Sequence, residues 1–263
     1  MICPCPAGGQ ATACPVRPLL PAYAHNDYAN PQPLHDALQY GFRGVEADIL
    51  LRRGELRVGH DAFGTLPGRN LEALYLRPLR EIAQRCGHVL APSTPFLLNL
   101  ELKERSRAGY DSLLALLDRY TDLFAIPAGL GDPPVEIILV GWYPPLADST
   151  LRRRYPLWRQ QRLTTLSPGS GTESTVVRLI SLDYGKTIGW SGRGAMPERA
   201  ARWLARLRAA KSAGPGRLAR AYNVPVDPAV YRLLLEGGVD LIGTRHLLAS
   251  RQVLLTLDAA SLR

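Results

Sequence analysis

The sequence predicts a single α/β domain of the TIM-type (β/α)8 barrel class, preceded by a loose N-terminal arm. Three observations carry this. The chain has 263 residues, close to the roughly 250 usual for such a barrel. Strand and helix signals alternate along most of its length, the pattern of parallel strands joined by crossover helices. Polar residues gather at the ends of otherwise apolar strands, where barrels of this kind build their active sites. The arm is assigned to residues 1–18 and the barrel to 19–258.

Strands are expected near 19–25, 43–50, 95–102, 135–141, 161–166, 178–183, 219–224 and 239–243, with a small hairpin arm at 55–60. In GFRGVEADI, residues two apart share a strand face, so Glu46 and Asp48 point together while Val45, Ala47 and Ile49 face the opposite, apolar side. PFLLNLELKE repeats the device, setting Asn99, Glu101 and Lys103 against Leu98, Leu100 and Leu102. The stretch 142–177 is less regular, because Pro144-Pro145, an Arg cluster at 152–154 and a Ser/Gly/Thr loop blur the fifth strand. Beyond it, Pro197 opens PERAARWLARLRAAK, where Ala200, Trp203, Leu204 and Leu207 recur at helical spacing. Asp227-Pro228 reads as N-cap and first helical residue, and Gly237-Gly238 ends that helix before the strand VDLIG.

A net charge of +9 suits an anionic partner such as a phosphoester or a membrane surface. Nucleic acid is not expected, since no basic and aromatic interleaving or recognition motif accompanies the charge. No apolar stretch approaches the roughly 18 residues needed to cross a bilayer. The arm holds Cys3, Cys5 and Cys14 among Pro, Gly and Ala and has no zinc spacing; a disulfide to Cys86 and free thiols both fit. It reads as the remnant of an export or lipoprotein leader, which would place the protein outside the cytoplasm; without export it would be cytoplasmic.

His25 closes the first strand and His60 follows the hairpin arm in LRVGHD. With Glu46, Asp48 and Glu101 they converge on one mouth. Inward charges on apolar strands cost several kcal/mol unless paired or metal-bound, so three carboxylates point to one divalent cation, Mg²⁺ or Ca²⁺ with Mn²⁺ as a third option. The two histidines then offer acid and base. Lys103 can hold a phosphate oxygen or pair with Glu101. His35 and His88, each alone, are assigned nothing.

The run AHNDYANPQPLHDALQYGFRGVEADILLRRGELRVGHD resembles the phosphodiesterase superfamily of glycerophosphodiester phosphodiesterases and phosphatidylinositol-specific phospholipases C. It is most similar to the altered inheritance of mitochondria protein 6 type, in which H-N-D-Y replaces H-R-G. The resemblance continues through LLNLELK, LISLDYGKTIGWSGRG and YNVPVDPAVYRLLLEGGVDLIGT. It implies His25 and His60 as the catalytic pair, Glu46, Asp48 and Glu101 as metal ligands, and Lys103 as a phosphate contact. It further implies Asn26, Asp27, Asp183, Lys186 and Trp190 as residues lining the mouth. Two departures stand out: Tyr222 where a Trp is usual, and Gly243-Thr244-Arg245-His246 where N-T-D-D is expected.

The expected activity is therefore metal-dependent cleavage of a small-molecule or lipid phosphodiester by two-histidine catalysis. A lyase that forms a cyclic phosphate, and a silent anion-binding barrel, are the alternatives. Peripheral membrane contact is kept open through Trp142, Tyr143, Trp158 and Trp190, placed in or near loops. Oligomeric state is not legible.

Overall fold

The computed structural model describes residues 14, 17–61, 64, 65, 68–124, 132–142, 157–165 and 177–261. Nine strands form one sheet: β1 Leu19–Ala24, β2 Phe42–Arg52, β3 Glu55–Val58, β4 Phe96–Leu102, β5 Val135–Gly141, β6 Leu157–Arg162, β7 Val177–Asp183, β8 Leu218–Tyr222 and β9 Leu241–Thr244. Their order is β1-β9-β8-β7-β6-β5-β4-β2-β3, and β1 also pairs with β2, so eight strands close into a barrel. All pairings around the ring are parallel; only β3 is antiparallel, folded back on the end of β2. The fold is the TIM-type barrel expected from the alternation of elements.

Helices on the outside bury their apolar stripes against the sheet. On the helix Glu198–Ser212, Ala200, Leu204, Leu207 and Ala210 are buried, matching the 3.6-residue period of the sequence. The next helix, Pro228–Glu236, starts where expected: Asp227 Oδ1 accepts from the backbone N–H groups of Ala229 and Val230 at 2.8 and 3.1 Å. These two bonds satisfy donors that the first turn leaves unpaired. Gly238, at φ 89°, turns the chain into β9.

A second, smaller apolar cluster fills the lower interior of the ring, with Tyr23, Leu97, Ile138, Leu179 and Leu241 buried and Trp158 packed against them. Tyr23 enters there because Gly44 has no side chain. A Cβ at Gly44 would stand 2.5 Å from the Leu97 carbonyl oxygen and 3.0 Å from Tyr23 Cε2. The Tyr23 hydroxyl donates to the Val45 carbonyl at 2.9 Å. Two positions beyond Tyr23, Leu97, Trp158 and Leu179 of this floor stand the polar residues His25, Asn99, Gln160 and Ser181.

Two expectations need correction. The fifth ring strand lies at Leu157–Arg162 and not at 161–166, because its inward alternation of Trp158, Gln160 and Arg162 is polar towards its end and carries no apolar signature. Trp158, expected near a loop, is on that strand and packs against the barrel floor. Of the arm, Cys14 is tied by a disulfide to Cys86 at the end of the helix Arg77–Cys86. Residues 1–13, 15 and 16, with Cys3 and Cys5, lie outside the described residues, as does Tyr143. Among the described residues, no helix is long and apolar enough to cross a membrane.

Candidate functional site

The parallel register of β2 and β4 sets Glu46 beside Asn99 and Asp48 beside Glu101. Because side chains alternate across a strand, all four face the barrel interior, two levels on each strand. Glu46, Asp48 and Glu101 each present an oxygen within 4.8 Å of the others. Glu46 and Asp48 are buried, 5% and 1% exposed.

Each carboxylate is held by a different set of neighbours. Glu46 accepts from Nη2 of Arg220, which is fully buried on β8. His25, one residue past β1, brings Nε2 to 3.8 Å from the same Glu46 oxygen. Its position is fixed by its backbone N–H, which donates to the Thr244 carbonyl at 2.8 Å, and by an edge-on contact with the Tyr222 ring at 5.7 Å. Asp48 Oδ2 accepts from the Tyr28 hydroxyl at 2.7 Å. Lys103 Nζ lies 3.4 Å from Asp48 Oδ2 and 3.3 Å from Glu101 Oε1.

Burial and charge set the protonation of this group. Burial pushes Glu46 upward, but Arg220, His25 and Lys103 outweigh it and hold the carboxyl below its ordinary value. Asp48 is pushed up to about 6, chiefly by burial, with the Tyr28 hydrogen bond and the Lys103 charge opposing. His25 is pushed down to about 4 by burial and then by the Arg220 charge, so its imidazole is neutral at pH 7. Lys103 is held above its usual value because Asp48 and Glu101 outweigh the effect of burial.

The donor set fits a hard divalent cation. Its ligand atoms are carboxylate oxygens, the type that Mg²⁺, Ca²⁺ and Mn²⁺ prefer. Asp48 Oδ1 is buried and has no hydrogen-bond partner among the described residues, an arrangement that costs about 1–3 kcal/mol unless something else takes it up. Lys103 shares Asp48 and Glu101, so it and a cation compete for those two carboxylates.

The other residues singled out in the sequence are placed less uniformly. His60 is at the rim, its side chain 66% exposed and its Nδ1 3.9 Å from Asp61 Oδ2. It is anchored beside the cluster through the backbone, since the N–H of Gly59 donates to the Asp48 carbonyl at 3.0 Å. Asn26 sits next to His25 in a left-handed conformation, φ 52°. Asp183 ends β7, accepts from Asn223 Nδ2 at 3.1 Å and caps the short helix Tyr184–Thr187. Lys186 is exposed and lies 3.8 Å from Asp183. Trp190 is partly buried and donates from Nε1 to the Arg193 carbonyl at 2.9 Å.

Asp27 corrects an expectation. It does not line the mouth: it is fully buried, accepting from the Leu34 N–H at 2.6 Å, Tyr75 at 3.1 Å and Asn30 at 3.2 Å. Burial pushes its carboxyl up to about 6. Its work is to clamp the loop after β1 that carries His25 and Tyr28.

Three residues of the site, Arg220, Gln160 and Tyr28, were not singled out by sequence, and a fourth, Tyr222, stood out only as a departure from the family pattern. Arg220 bonds Glu46 and also donates from Nη1 to Gln160 Oε1 at 3.0 Å; the same oxygen accepts from Asn99 Nδ2 at 3.2 Å. Tyr28 holds Asp48 and Tyr222 packs on His25. The signal for two of them was the alternation in LARAY, which puts Arg220 and Tyr222 on one face against Ala219 and Ala221.

Part of the chain is similar in sequence to known proteins. Residues 12–108 match the AIM6-like phosphodiesterase domain. The AIM6-like stretch holds His25, Glu46, Asp48, His60, Glu101 and Lys103, whereas Gln160, Asp183 and Arg220 lie beyond it. The chain is 31% identical over 145 residues to Altered inheritance of mitochondria protein 6 from Eremothecium gossypii, covering 46% of this chain and 37% of that protein. It is 40% identical over 73 residues to the protein of the same name from Kluyveromyces lactis, covering 27% of this chain and 17% of that protein. The match thus spans well under half of these AIM6 proteins. Among solved structures, a Silicibacter pomeroyi protein provisionally named a glycerophosphoryl diester phosphodiesterase superposes with a TM-score of 0.52 at 13% identity, over 94% of this chain and 95% of that one. At that identity the likeness speaks for the barrel fold, which extends past the AIM6-like stretch.

Proposed function

We propose that this chain is a metal-dependent phosphodiesterase that cleaves a glycerophosphodiester or phospholipid-like substrate. The observation that carries the reading is the convergence of Glu46, Asp48, Glu101, His25 and Lys103 on one mouth of the barrel, within 4.8 Å among the carboxylate oxygens, in a stretch matching a phosphodiesterase domain. A divalent cation held by the three carboxylates, when bound, supplies positive charge to a phosphate oxygen.

The chain's own residues do the rest. His25 is neutral at pH 7, so it is free to take a proton from the attacking hydroxyl. Glu46 beside it then stabilises the imidazolium. Lys103 grips a non-bridging oxygen, exchanging a carboxylate contact for a phosphate one. His60, exposed at the rim, is assigned the proton given to the departing oxygen. Asn26, Asp183, Lys186 and Trp190 are assigned to the rim that orients the head group, with Trp142 and Trp190 as the aromatic contacts for a lipid surface. The Cys14–Cys86 disulfide supports an exported protein, because such bonds persist in oxidising compartments.

A second reading, a silent anion-binding barrel, has one observation in its favour. Arg220 holds Glu46, and Lys103 holds Asp48 and Glu101, so the carboxylates have cationic partners before any ion is added. Phosphorus NMR of glycerophosphocholine and of glycerophosphoinositol 4-phosphate, each incubated with the chain and Mg²⁺, Ca²⁺ or Mn²⁺, separates the readings. Glycerol phosphate as the first product supports hydrolysis, a cyclic glycerol phosphate supports the lyase, and an unchanged spectrum with metal bound supports the silent barrel.

A further inference from the structure

We propose that the substrate carries a second negative charge close to the scissile phosphodiester, and that a basic cleft beside the carboxylates is the subsite that receives it; this rests on the phosphodiesterase reading above. The cleft, of about 580 Å³, opens directly from Glu101 and Lys103 and is walled by Arg105, Trp142, Arg159 and Arg162. Its size lies within the range of small-molecule sites.

Its charge is one-sided. Among the described residues of its wall, Glu101 is the one carboxylate against four cations, Lys103, Arg105, Arg159 and Arg162. Lys103 is taken up by Asp48 and Glu101, which leaves Arg105 and Arg162 as the surplus. Arg105 follows β4 and Arg162 ends β6, and among the described residues neither has a carboxylate partner. The alternation of β6 sets Arg162 two residues beyond Gln160 on the same face. Gln160 bonds Arg220 and Asn99 in the barrel interior, so Arg162 stands above that level at the mouth. Its charge also acts on Tyr222, two strands away on β8.

Such a cleft sorts head groups by charge. A choline or ethanolamine group would bring an ammonium among surplus guanidinium groups and be repelled, whereas a phosphate or carboxylate would meet forked donors suited to its oxygens. The favoured substrates are therefore diesters with an additional phosphate or carboxylate on one of the two alcohols.

Titration calorimetry on the EDTA-treated full chain tests this with two probes, glycerophosphocholine and glycerophosphoinositol 4-phosphate, at low ionic strength. The account expects the second to bind about tenfold tighter or more, the effect of at least one charge-assisted contact. In Arg105→Gln/Arg162→Gln the two affinities should come within about twofold of each other. A control, Arg202→Gln/Arg206→Gln, removes the same charge from exposed positions on the helix Glu198–Ser212 and should keep the difference. Equal affinity for both probes in the unaltered chain, or an equal loss in the control, would overturn the subsite. Vesicles carrying phosphatidylinositol 4-phosphate identify the source: binding to the free diester alone assigns a soluble substrate, binding to the vesicles as well assigns a lipid head group, and binding to neither overturns the inference. Because the readout is binding, a chain that cleaves no diester yet keeps the preference fails only as an enzyme.

Discussion

Arg220 on β8 donates to Glu46 on β2 across the interior of the barrel, 174 residues away in sequence, and both side chains are almost wholly buried. The pair joins the two halves of the ring, because the Arg220 guanidinium also bonds Gln160 and lies over the Tyr23 ring at 4.5 Å. A buried pair of this kind contributes little over an apolar replacement of both partners, but losing one partner strands the other charge. Arg220→Met is therefore expected to cost about 3–5 kcal/mol, read by urea denaturation, and to raise the Glu46 carboxyl from its lowered value. Arg220→Met/Glu46→Leu should recover much of that loss. A double variant as unstable as the single one would show that the ion pair is not the source of the cost.

Asp27 gives the chain a pH dependence of defined sign. Its folded value, about 6, lies above the ordinary 3.8. The folded state thus binds its proton more readily, and this contribution to stability is complete below pH 3.8 and lost as pH rises through 6. The loss amounts to about 3 kcal/mol. Asp48 titrates in the same window, so the contribution is isolated as a difference. Melting curves from pH 4 to 7 in EDTA should show the gap between the unaltered chain and Asp27→Asn shifting in favour of Asp27→Asn as pH rises; a constant gap would contradict the burial argument.

His25 is expected to titrate with a midpoint near 4 in the metal-free chain, followed by NMR of its ring. Its folded value is lowered, so protonation favours the unfolded chain as pH falls from 6.5 through 4. A midpoint at or above 6.5 would mean that Glu46 dominates over burial and Arg220, and would contradict the burial argument.

The Cys14–Cys86 bond closes a loop of 72 residues around β1, β2 and β3. Restricting the unfolded chain in this way is worth about 2–4 kcal/mol. Cys14→Ser should lower the stability of the chain by that amount, measured by urea denaturation. No change relative to the unaltered chain would show that the arm contributes nothing to holding the first β/α units together.

Much of this was written in local sequence, and the exceptions have physical causes. β2 and β4 were legible because Glu46/Asp48 and Asn99/Glu101 interrupt strongly apolar strands at a period of two, a pattern that only an interior polar site explains. β6 was displaced by four residues at its start because Trp158, Gln160 and Arg162 alternate without an apolar partner face that stands out. Arg220 was hidden among many scattered arginines that do face water; what distinguishes it is Glu46, a neighbour no local window contains. Asp27 looked like a mouth residue through its place after His25, yet the left-handed turn at Asn26 sends its carboxylate inward to Leu34 and Tyr75.

Hydrolysis of a chromogenic bis-aryl phosphate by EDTA-treated protein, with Mg²⁺, Ca²⁺ or Mn²⁺ restored in turn and His25→Ala alongside, tests the central claim most directly. The account predicts turnover that returns only with a divalent cation and falls by about 100-fold or more in His25→Ala. Turnover that survives EDTA, or that is undiminished in His25→Ala, would contradict it.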